Sequence, residues 1–268
     1  MRSENSEFRN PHSEFDMKVS AIIVAAGRGQ RFMEGTRKQF VSLAGKPVLC
    51  HTLDKFEACR AVHSVILVVG QEDKDYCLKE IVEKYSYRKV SQIVAGGKRR
   101  QDSVKKGIDA LSPDVDVVVI HDGVRPFVTG EMIEKSVQSA MDVGASVTAV
   151  PVKDTIKLGS PDSMVLKTLD RDALWQAQTP QTFQVSVIKD AYQKAVRDGF
   201  TGADDASLVE RLGLRVHLLQ GAYSNIKITT PEDLTLAHLL LQTQASAGEV
   251  GEVSLPPKQR GGVRWKKR

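Results

Sequence analysis

The stretch VSAIIVAAGRGQRF, residues 19–32, decides the fold of this 268-residue chain. Its first seven residues form a continuous apolar run, which is typical of a parallel strand that is buried on both faces. The run leads directly into Gly27 and Gly29. Glycines at this point let the backbone turn sharply and approach a ligand closely. A buried strand that enters a glycine-containing turn predicts an α/β fold.

The same alternation of strand and helix patterns continues along the chain. Further strands are predicted at residues 65–69, 90–94, 117–120, 146–150 and 214–219. Helical spacing of apolar residues predicts helices at 47–59, 73–85, 100–111, 131–143, 185–198, 204–212 and 231–241. This order predicts a doubly wound, mostly parallel sheet, in which ligands bind beyond the carboxyl ends of the strands.

Three regions fall outside this alternation. Residues 151–175 have weak periodicity around Gly159 and Pro161, and we predict a hairpin-like excursion there. Residues 1–16 are polar and precede Met17, a natural starting residue, so we expect a disordered leader. Residues 243–268 are rich in glycine, proline and charge, which predicts a disordered basic tail. The folded domain is therefore expected to span residues 17–242.

The composition is that of a folded, soluble protein, with 41% hydrophobic and 26% charged residues. No apolar run approaches the roughly 20 residues that a membrane span needs.

The three cysteines form no CxxC pair, which indicates reduced thiols in a cytosolic protein. Much of the net charge of +5 lies in the tail, where a solvated end is favoured over a nucleic-acid contact. We expect neither a membrane nor a nucleic-acid partner.

The first loop has the properties of a phosphate-binding turn. Exposed N–H groups around Gly27 and Gly29 form an anion nest, Arg31 offers a planar fork for phosphate oxygens, and Lys38 adds a mobile charge. The dinucleotide fingerprint would need a third glycine where Phe32 stands, and no Walker A motif is present. Two glycines alone are equally consistent with a plain strand-to-helix turn. Arg31 and Lys38 make triphosphate binding the better interpretation.

Further polar residues follow other predicted strands. Asp122 ends the run VVVIHD and is the candidate Mg²⁺ ligand, because Mg²⁺ usually takes one or two carboxylates plus substrate phosphates. Arg125 is placed to hold a phosphate, and Gly97 and Ser103 are placed to contact a base. A turn-forming aspartate, a surface ion pair and a capping serine remain the alternatives. Asp204 is predicted to cap a helix.

An ordered series of motifs resembles one enzyme family. The segments AAGRGQR with Lys38-Gln39, GG-x₃-QDSV, HDGVRPF, PVKDTIK, LDRDALWQAQTPQ-F, DDASLVE and NIKITTPEDL occur in the order seen in 2-C-methyl-D-erythritol 4-phosphate cytidylyltransferases. These are the bacterial and plastid enzymes of the non-mevalonate isoprenoid pathway. The resemblance covers about residues 18–241. It implies a Rossmann-like nucleotidyltransferase domain whose excursion is a protruding dimerisation arm.

The resemblance also implies an activity. CTP and methylerythritol phosphate would give CDP-methylerythritol and pyrophosphate with Mg²⁺, in a cytoplasmic bacterial homodimer whose arm completes the partner's site.

Carried over by position, the residues that stabilise the transition state or orient the methylerythritol phosphate are Arg31, Lys38, Arg171 and Lys227. The residues that bind the nucleotide are Ala25, Ala26, Gly27, Gly29, Gly97, Ser103 and Asp122, of which Asp122 also holds the metal. The remaining contacts to the polyol phosphate come from Arg125, Thr155 and Thr179. The chain departs from the commoner pattern at Phe32, Arg37 and Val124, and none of these departures removes a charge that the mechanism needs.

Three alternatives remain at this point. A ribitol-5-phosphate cytidylyltransferase would use the same chemistry on another polyol, although Ala26 and DDASLVE favour methylerythritol phosphate. A sugar-phosphate nucleotidylyltransferase would normally have a longer chain. A non-catalytic nucleotide-binding regulator is disfavoured because both Arg31 and Lys38 are retained.

Overall fold

The computed structural model describes residues 17–27 and 37–249 and contains a seven-stranded sheet. In chain order its strands are β1 (Val19–Val24), β4 (Ser64–Val69), β5 (Val90–Ala95), β6 (Val117–Asp122), β7 (Ala145–Pro151), β10 (Trp175–Gln184) and β11 (His217–Gln220). Two small hairpins consist of β2 (Ser42–Leu43) with β3 (Lys46–Pro47), and β8 (Lys157–Gly159) with β9 (Val165–Thr168).

The sheet has the order β11-β7-β10-β6-β1-β4-β5. β6 lies at its centre, and the adjacent β1 pairs in parallel with β4 and β6. β5 is parallel to β4, and β11 is parallel to β7. β10 alone among these seven strands is antiparallel to its neighbours, β6 and β7. The carboxyl ends of β1, β4, β5 and β6 therefore meet at one edge of the sheet.

Helices cover both faces of the sheet. They are α1 (Val48–Ala58), α2 (Lys74–Tyr76) with a π-helical continuation (Cys77–Glu83), α3 (Arg100–Asp109), α4 (Gly130–Val143), α5 (Val185–Arg197), α6 (Asp205–Glu210) and α7 (Pro231–Glu249). Apolar residues of α1, α4 and the π-helical turn pack on one face, and those of α3, α5 and α6 pack on the other. The doubly wound, mostly parallel architecture is confirmed.

Local sequence signals account for the ends of individual helices. The Thr129 hydroxyl accepts a hydrogen bond from the Met132 N–H at 3.2 Å and caps the start of α4. Gly144 ends that helix at a φ of +91°, a backbone conformation that favours glycine. The predicted cap of α6 is confirmed, because Asp204 Oδ1 accepts a hydrogen bond from the Ser207 N–H at 2.9 Å.

The strand β10 and the end of α7 differ from the sequence predictions, and the short strands β2 and β3 were not predicted either. The sequence patterns predict no strand at β10, whose residues WQAQTPQTFQ lack both an apolar run and regular alternation. Its buried polar side chains make hydrogen bonds instead of apolar contacts, so the burial of this strand leaves no apolar pattern in the sequence: Gln178, Thr179, Gln181 and Thr182. In addition, α7 continues to Glu249, so the beginning of the predicted disordered tail is helical. Residues 1–16 and 250–268 lie outside the described residues.

The excursion at residues 151–175 contains the β8–β9 hairpin, as predicted. Its apolar side chains are exposed: Leu158, Met164, Val165 and Leu166. A role for this arm in dimerisation stays a prediction.

Other features of the described residues match the sequence analysis. Cys50, Cys59 and Cys77 are free thiols, and all three are buried. None of the helices within residues 17–27 and 37–249 is long and apolar enough to cross a lipid bilayer.

The close packing of α3 on β1 leads to a stability prediction. A Cβ atom at Gly107 would lie 2.6 Å from Ile22 Cγ2 and 3.2 Å from Val68 Cγ2. We expect Gly107→Val to lower the free energy of unfolding by about 1–3 kcal/mol, as overpacking does in a filled core. Urea unfolding followed by circular dichroism measures this change.

The matched control is Gly130→Val, because no atom lies within 4 Å of the corresponding Cβ position. Its free energy of unfolding should stay within about 0.5 kcal/mol of the original value. Equal losses in both variants would show that the contact with Ile22 does not limit the packing of α3.

Candidate active site

A cavity of about 880 Å³ opens at the edge where the carboxyl ends of β1, β4, β5 and β6 meet. This is the position at which doubly wound sheets bind their ligands. Eight of the residues predicted from the sequence line it: Ala25, Ala26, Gly27, Lys38, Gly97, Ser103, Asp122 and Lys227. The fold therefore brings together residues that are up to about 200 positions apart in the sequence.

One wall of the cavity is the segment between β5 and α3. A Cβ atom at Gly96 would lie 2.3 Å from Ala26 Cβ, so this backbone packs directly against the residues that follow β1. The Ser103 hydroxyl accepts a hydrogen bond from the Gly97 N–H at 3.0 Å and donates one to the Arg99 carbonyl at 3.1 Å. Ser103 thus fixes the conformation of the loop, and its predicted contact with the nucleotide stays a prediction.

A second wall contains Lys38, in the single helical turn Lys38–Phe40. The neighbouring Gln39 is buried, and its Nε2 donates a hydrogen bond to the Ala25 carbonyl at 2.9 Å. This bond ties the turn to the end of β1 and holds Lys38 at the cavity. The sequence patterns predict no function for Gln39, although a polar residue beside a candidate phosphate-binding lysine is a signal of a structural role there. The predicted Gly29 and Arg31 lie outside the described residues.

The floor of the cavity is centred on the carboxylate of Asp122, which is 5% exposed. Its Oδ1 accepts a hydrogen bond from Arg100 Nε at 3.0 Å. Its Oδ2 lies 2.8 Å from Lys227 Nζ and 3.7 Å from Arg125 Nε. Three cations from three separate segments therefore surround one buried carboxylate.

These cations determine the charge state of Asp122. Burial by itself would raise the pKa of the carboxyl group, but attraction to Arg100, Lys227 and Arg125 outweighs burial and lowers the pKa below its ordinary value. Asp122 is consequently a carboxylate throughout the neutral and mildly acidic range.

Arg100 was not predicted as a site residue, yet it links Asp122 to the start of α6. Its Nη1 donates to Asp205 Oδ2 at 2.8 Å, and Asp205 Oδ1 accepts a hydrogen bond from the Tyr192 hydroxyl at 2.6 Å. Attraction to Asp205 and then to Asp122 exceeds the opposing effect of burial and raises the pKa of Arg100. Sequence spacing gives no sign of this pairing, because Arg100 and Asp205 are 105 positions apart.

Thr179 and Arg125 lie beneath Asp122, outside the residues that line the cavity. The Thr179 hydroxyl accepts a hydrogen bond from the Asp122 N–H at 3.1 Å and lies 2.9 Å from His121 Nδ1. Arg125 Nη1 donates to the Asn225 carbonyl at 2.8 Å. Both residues support the Asp122 segment in this structure, and their contacts with a polyol phosphate stay predictions.

Arg171 and Thr155 are exposed residues of the arm and do not line the cavity of their own chain. Arg171 Nη1 donates a hydrogen bond to the Lys153 carbonyl at 2.9 Å, near the base of the arm. The fold therefore separates these two predicted substrate contacts from Lys38 and Lys227.

The donors at the cavity are compatible with a magnesium ion that arrives with a triphosphate. Within residues 17–27 and 37–249, no three His, Cys, Asp or Glu side chains are grouped as a preformed metal site. Asp122 nevertheless offers one carboxylate at the cavity, and Mg²⁺ typically combines one or two carboxylates with phosphate oxygens and water. An ion at Oδ2 would have to displace the ammonium group of Lys227.

Comparison with known proteins extends these observations. The family model for IspD, 2-C-methyl-D-erythritol 4-phosphate cytidylyltransferase, matches residues 19–243. A protein of that name from Pelotomaculum thermopropionicum is 48% identical over 235 residues, which cover 87% of this chain and 99% of the relative. Another from Caldanaerobacter subterraneus subsp. tengcongensis is 46% identical and covers 84% of this chain and 100% of the relative.

Solved structures agree with the sequence relatives. The crystal structure of 4-diphosphocytidyl-2C-methyl-D-erythritol synthase from Anaerococcus prevotii has a TM-score of 0.76 at 36% identity and covers 85% of this chain and 97% of its own. The cytidylyltransferase structure from Thermus thermophilus has a TM-score of 0.69 at 30% identity and covers 84% of this chain and 100% of its own. The chain is a nucleotidyltransferase, and it belongs to the 2-C-methyl-D-erythritol 4-phosphate cytidylyltransferase family.

Proposed function

We propose that this chain transfers CMP from CTP to 2-C-methyl-D-erythritol 4-phosphate and releases pyrophosphate, as a step of isoprenoid precursor biosynthesis. The observation that carries the proposal is the cavity in which Lys38, Asp122 and Lys227 meet beside the Gly97 segment. The names of relatives at 45–48% identity support the choice of both substrates.

The reaction is an in-line displacement at phosphorus. A phosphate oxygen of methylerythritol phosphate forms a bond to the α-phosphorus of CTP, and the bond from that phosphorus to the bridging oxygen breaks as pyrophosphate leaves. Both reactants are anions, so positioning and neutralisation of charge supply most of the catalysis. Lys38 and Lys227 are two of the cations that line the cavity, and the expected Arg31 would add to them.

A general base is not required, because a phosphomonoester carries about −1.5 to −2 charge at pH 7 and is already a nucleophile. The nearest histidine to Asp122 in sequence, His121, is poorly suited to act as one. It is fully buried, and burial lowers its pKa to about 4. Its imidazole is engaged with Thr179 and with the Arg125 carbonyl rather than with the cavity.

Asp122 is the residue that we propose to hold Mg²⁺ together with the triphosphate. The ion supplies charge neutralisation at the phosphates when it is bound. Arg100 keeps one carboxylate oxygen of Asp122 occupied, so the protein offers the other oxygen. Lys227, which lines the cavity, would then be available to pair with the phosphate of the second substrate.

We also propose that the protein acts as a cytoplasmic homodimer. Arg171 and Thr155 lie on the arm and outside the cavity of their own chain, and the arm exposes an apolar surface. If the two arms exchange between subunits, each brings Arg171 to the partner's cavity, where it would orient the methylerythritol phosphate. This arrangement explains why a substrate-orienting residue stands apart from the other cations.

The first test of the function removes one charge. We expect Lys38→Ala to lower kcat by on the order of 10², as loss of one preorganised charge at a transition state does. Pyrophosphate release from CTP and methylerythritol phosphate measures the effect.

The matched control is Lys135→Ala, because Lys135 is an exposed partner of Glu131 on α4 and does not line the cavity. It should leave kcat unchanged. Equal kcat values for Lys38→Ala and the unmodified enzyme would remove Lys38 from the mechanism, and faster turnover of ribitol 5-phosphate would replace the proposed substrate.

The second test asks whether Arg171 acts across the dimer. Lys38→Ala and Arg171→Ala chains are each expected to form nearly inactive homodimers. Half of the randomly mixed dimers would be heterodimers with one intact site, so co-expression should restore about a quarter of the original activity.

The control for this mixing experiment pairs Lys38→Ala with Lys227→Ala. Both lysines line the cavity of one chain, so each heterodimer site lacks one of them and no activity should return. Absence of recovery in the Arg171 mixture as well would place Arg171 in the site of its own chain or outside the reaction.

The third test concerns pH. Since the pKa of Asp122 is lowered, its carboxylate does not gain a proton as the pH falls from 8 to 5. The substrate phosphate does gain one, with a pKa near 6, and becomes a poorer nucleophile. We therefore expect kcat/KM for methylerythritol phosphate to fall below about pH 6 with unit slope.

Initial rates at saturating CTP and Mg²⁺ measure this decrease in kcat/KM at acidic pH. ³¹P NMR gives the pKa of the free substrate for comparison. If the apparent pKa of the kcat/KM profile differs from the pKa of the substrate by more than about one pH unit, a group of the protein is titrating instead.

A further inference from the structure

The motif DDASLVE belongs to the family pattern, yet the proposed chemistry gives it no task. Its first aspartate, Asp204, caps α6. The second, Asp205, is 1% exposed and does not line the cavity. A buried carboxylate is costly unless it is paired and hydrogen-bonded, so its position needs a physical reason.

The partners of Asp205 lead directly to the active site. Its Oδ2 accepts a hydrogen bond from Arg100 Nη1 at 2.8 Å, and Arg100 Nε donates to Asp122 Oδ1 at 3.0 Å. The other oxygen of Asp205 is held by the Tyr192 hydroxyl at 2.6 Å, and its backbone N–H donates to Gln181 Oε1 at 3.1 Å. Asp205 is thus fixed from α5 and β10 and fixes Arg100 in turn.

The geometry of a guanidinium group explains what this restraint achieves. An arginine beside a single carboxylate prefers two parallel N–H···O bonds, one to each oxygen. Arg100 makes a hydrogen bond to Oδ1 of Asp122 and extends its Nη1 to Asp205 instead. Oδ2 of Asp122 is contacted by Lys227 Nζ, whose side chain is 35% exposed and borders the cavity.

We infer that Asp205 is a positioning residue that acts on Asp122 through Arg100 and keeps Oδ2 of Asp122 accessible to the divalent cation of the nucleotide. Without the carboxylate of Asp205, the guanidinium group of Arg100 forms hydrogen bonds to both oxygens of Asp122 and competes with the cation for Oδ2. The inference rests on the proposed role of Asp122 as a magnesium ligand.

The principal test is Asp205→Asn, which keeps the size of the side chain and removes its charge. We expect the Mg²⁺ concentration for half-maximal activity to rise by about 10-fold, the lower end of the effect of removing a residue that supports a metal ligand. Calorimetric titration should show the same loss in the affinity for CTP with Mg²⁺ and no loss in the affinity for CTP alone. The KM for methylerythritol phosphate should not change.

The matched control is Asp204→Asn. Asp204 is adjacent, caps α6 and accepts a hydrogen bond from Gln181 Nε2 at 2.8 Å, but it makes no ion pair with Arg100. This variant should lose thermal stability without a change in the Mg²⁺ requirement. A second variant, Tyr192→Phe, removes one hydrogen bond from Asp205 and should shift the Mg²⁺ requirement in the same direction by about 2-fold to 3-fold, the lower end of the effect of losing one hydrogen bond.

A double-variant comparison tests the route through Arg100. The double variant Arg100→Gln with Asp205→Asn should need the same Mg²⁺ concentration for half-maximal activity as the single variant Arg100→Gln. A full further shift would overturn the inference, because Asp205 would then act on the site without Arg100.

The remaining outcomes separate this inference from the proposed function. If Asp205→Asn and Tyr192→Phe both bind CTP with Mg²⁺ as the unmodified protein does, Asp205 has a purely structural role and the inference is wrong. If Asp205→Asn does not fold, Tyr192→Phe decides by the same measurement. If Asp122→Asn also leaves the Mg²⁺ requirement unchanged, the proposed metal role of Asp122 is what fails.

Discussion

The buried carboxylate of Asp122 requires opposite charge close by, and the chain supplies it from α3, from the turn after β6 and from the segment that precedes α7. A negative charge in a poorly solvated position is stable only when it is paired and hydrogen-bonded. Meeting this requirement draws two distant segments, the start of α3 and the segment before α7, onto the end of β6. The cavity is the space that remains between them.

The same requirement extends the polar network from β6 to β10 and to the start of α6. Thr179 of β10 accepts a hydrogen bond from the backbone of Asp122, and Gln181 of the same strand holds the start of α6. The strand that sets the position of the carboxylate thus also positions the helix that restrains Arg100. Rigidity at the site comes from hydrogen bonds to an inner strand rather than from the loops that border the cavity.

Lys227 was expected only from the family motifs, whereas sequence patterns predicted Lys38, Asp122 and the glycines of the cavity wall. These patterns also predicted the α/β class and the sheet strands β1, β4, β5, β6, β7 and β11, because apolar runs and glycine turns are local signals. They did not predict β10, whose buried side chains are mostly polar, or Arg100, whose partners lie 22 and 105 positions away. Pairings of this kind depend on strand order, which no short window of sequence contains. Ordered family motifs supplied the functional assignment that periodicity alone left open.

The place of β10 in the sheet has a consequence for synthesis of the chain. β7 has no neighbour among the strands that precede it, since it pairs only with β10 and β11 in the described sheet. On the ribosome, its backbone N–H and C=O groups therefore stay without sheet partners until about 30 more residues have emerged. β1, β4, β5 and β6 can assemble earlier. The nascent protein thus passes through a stage with an exposed, strand-forming edge, at which protection by a chaperone matters most.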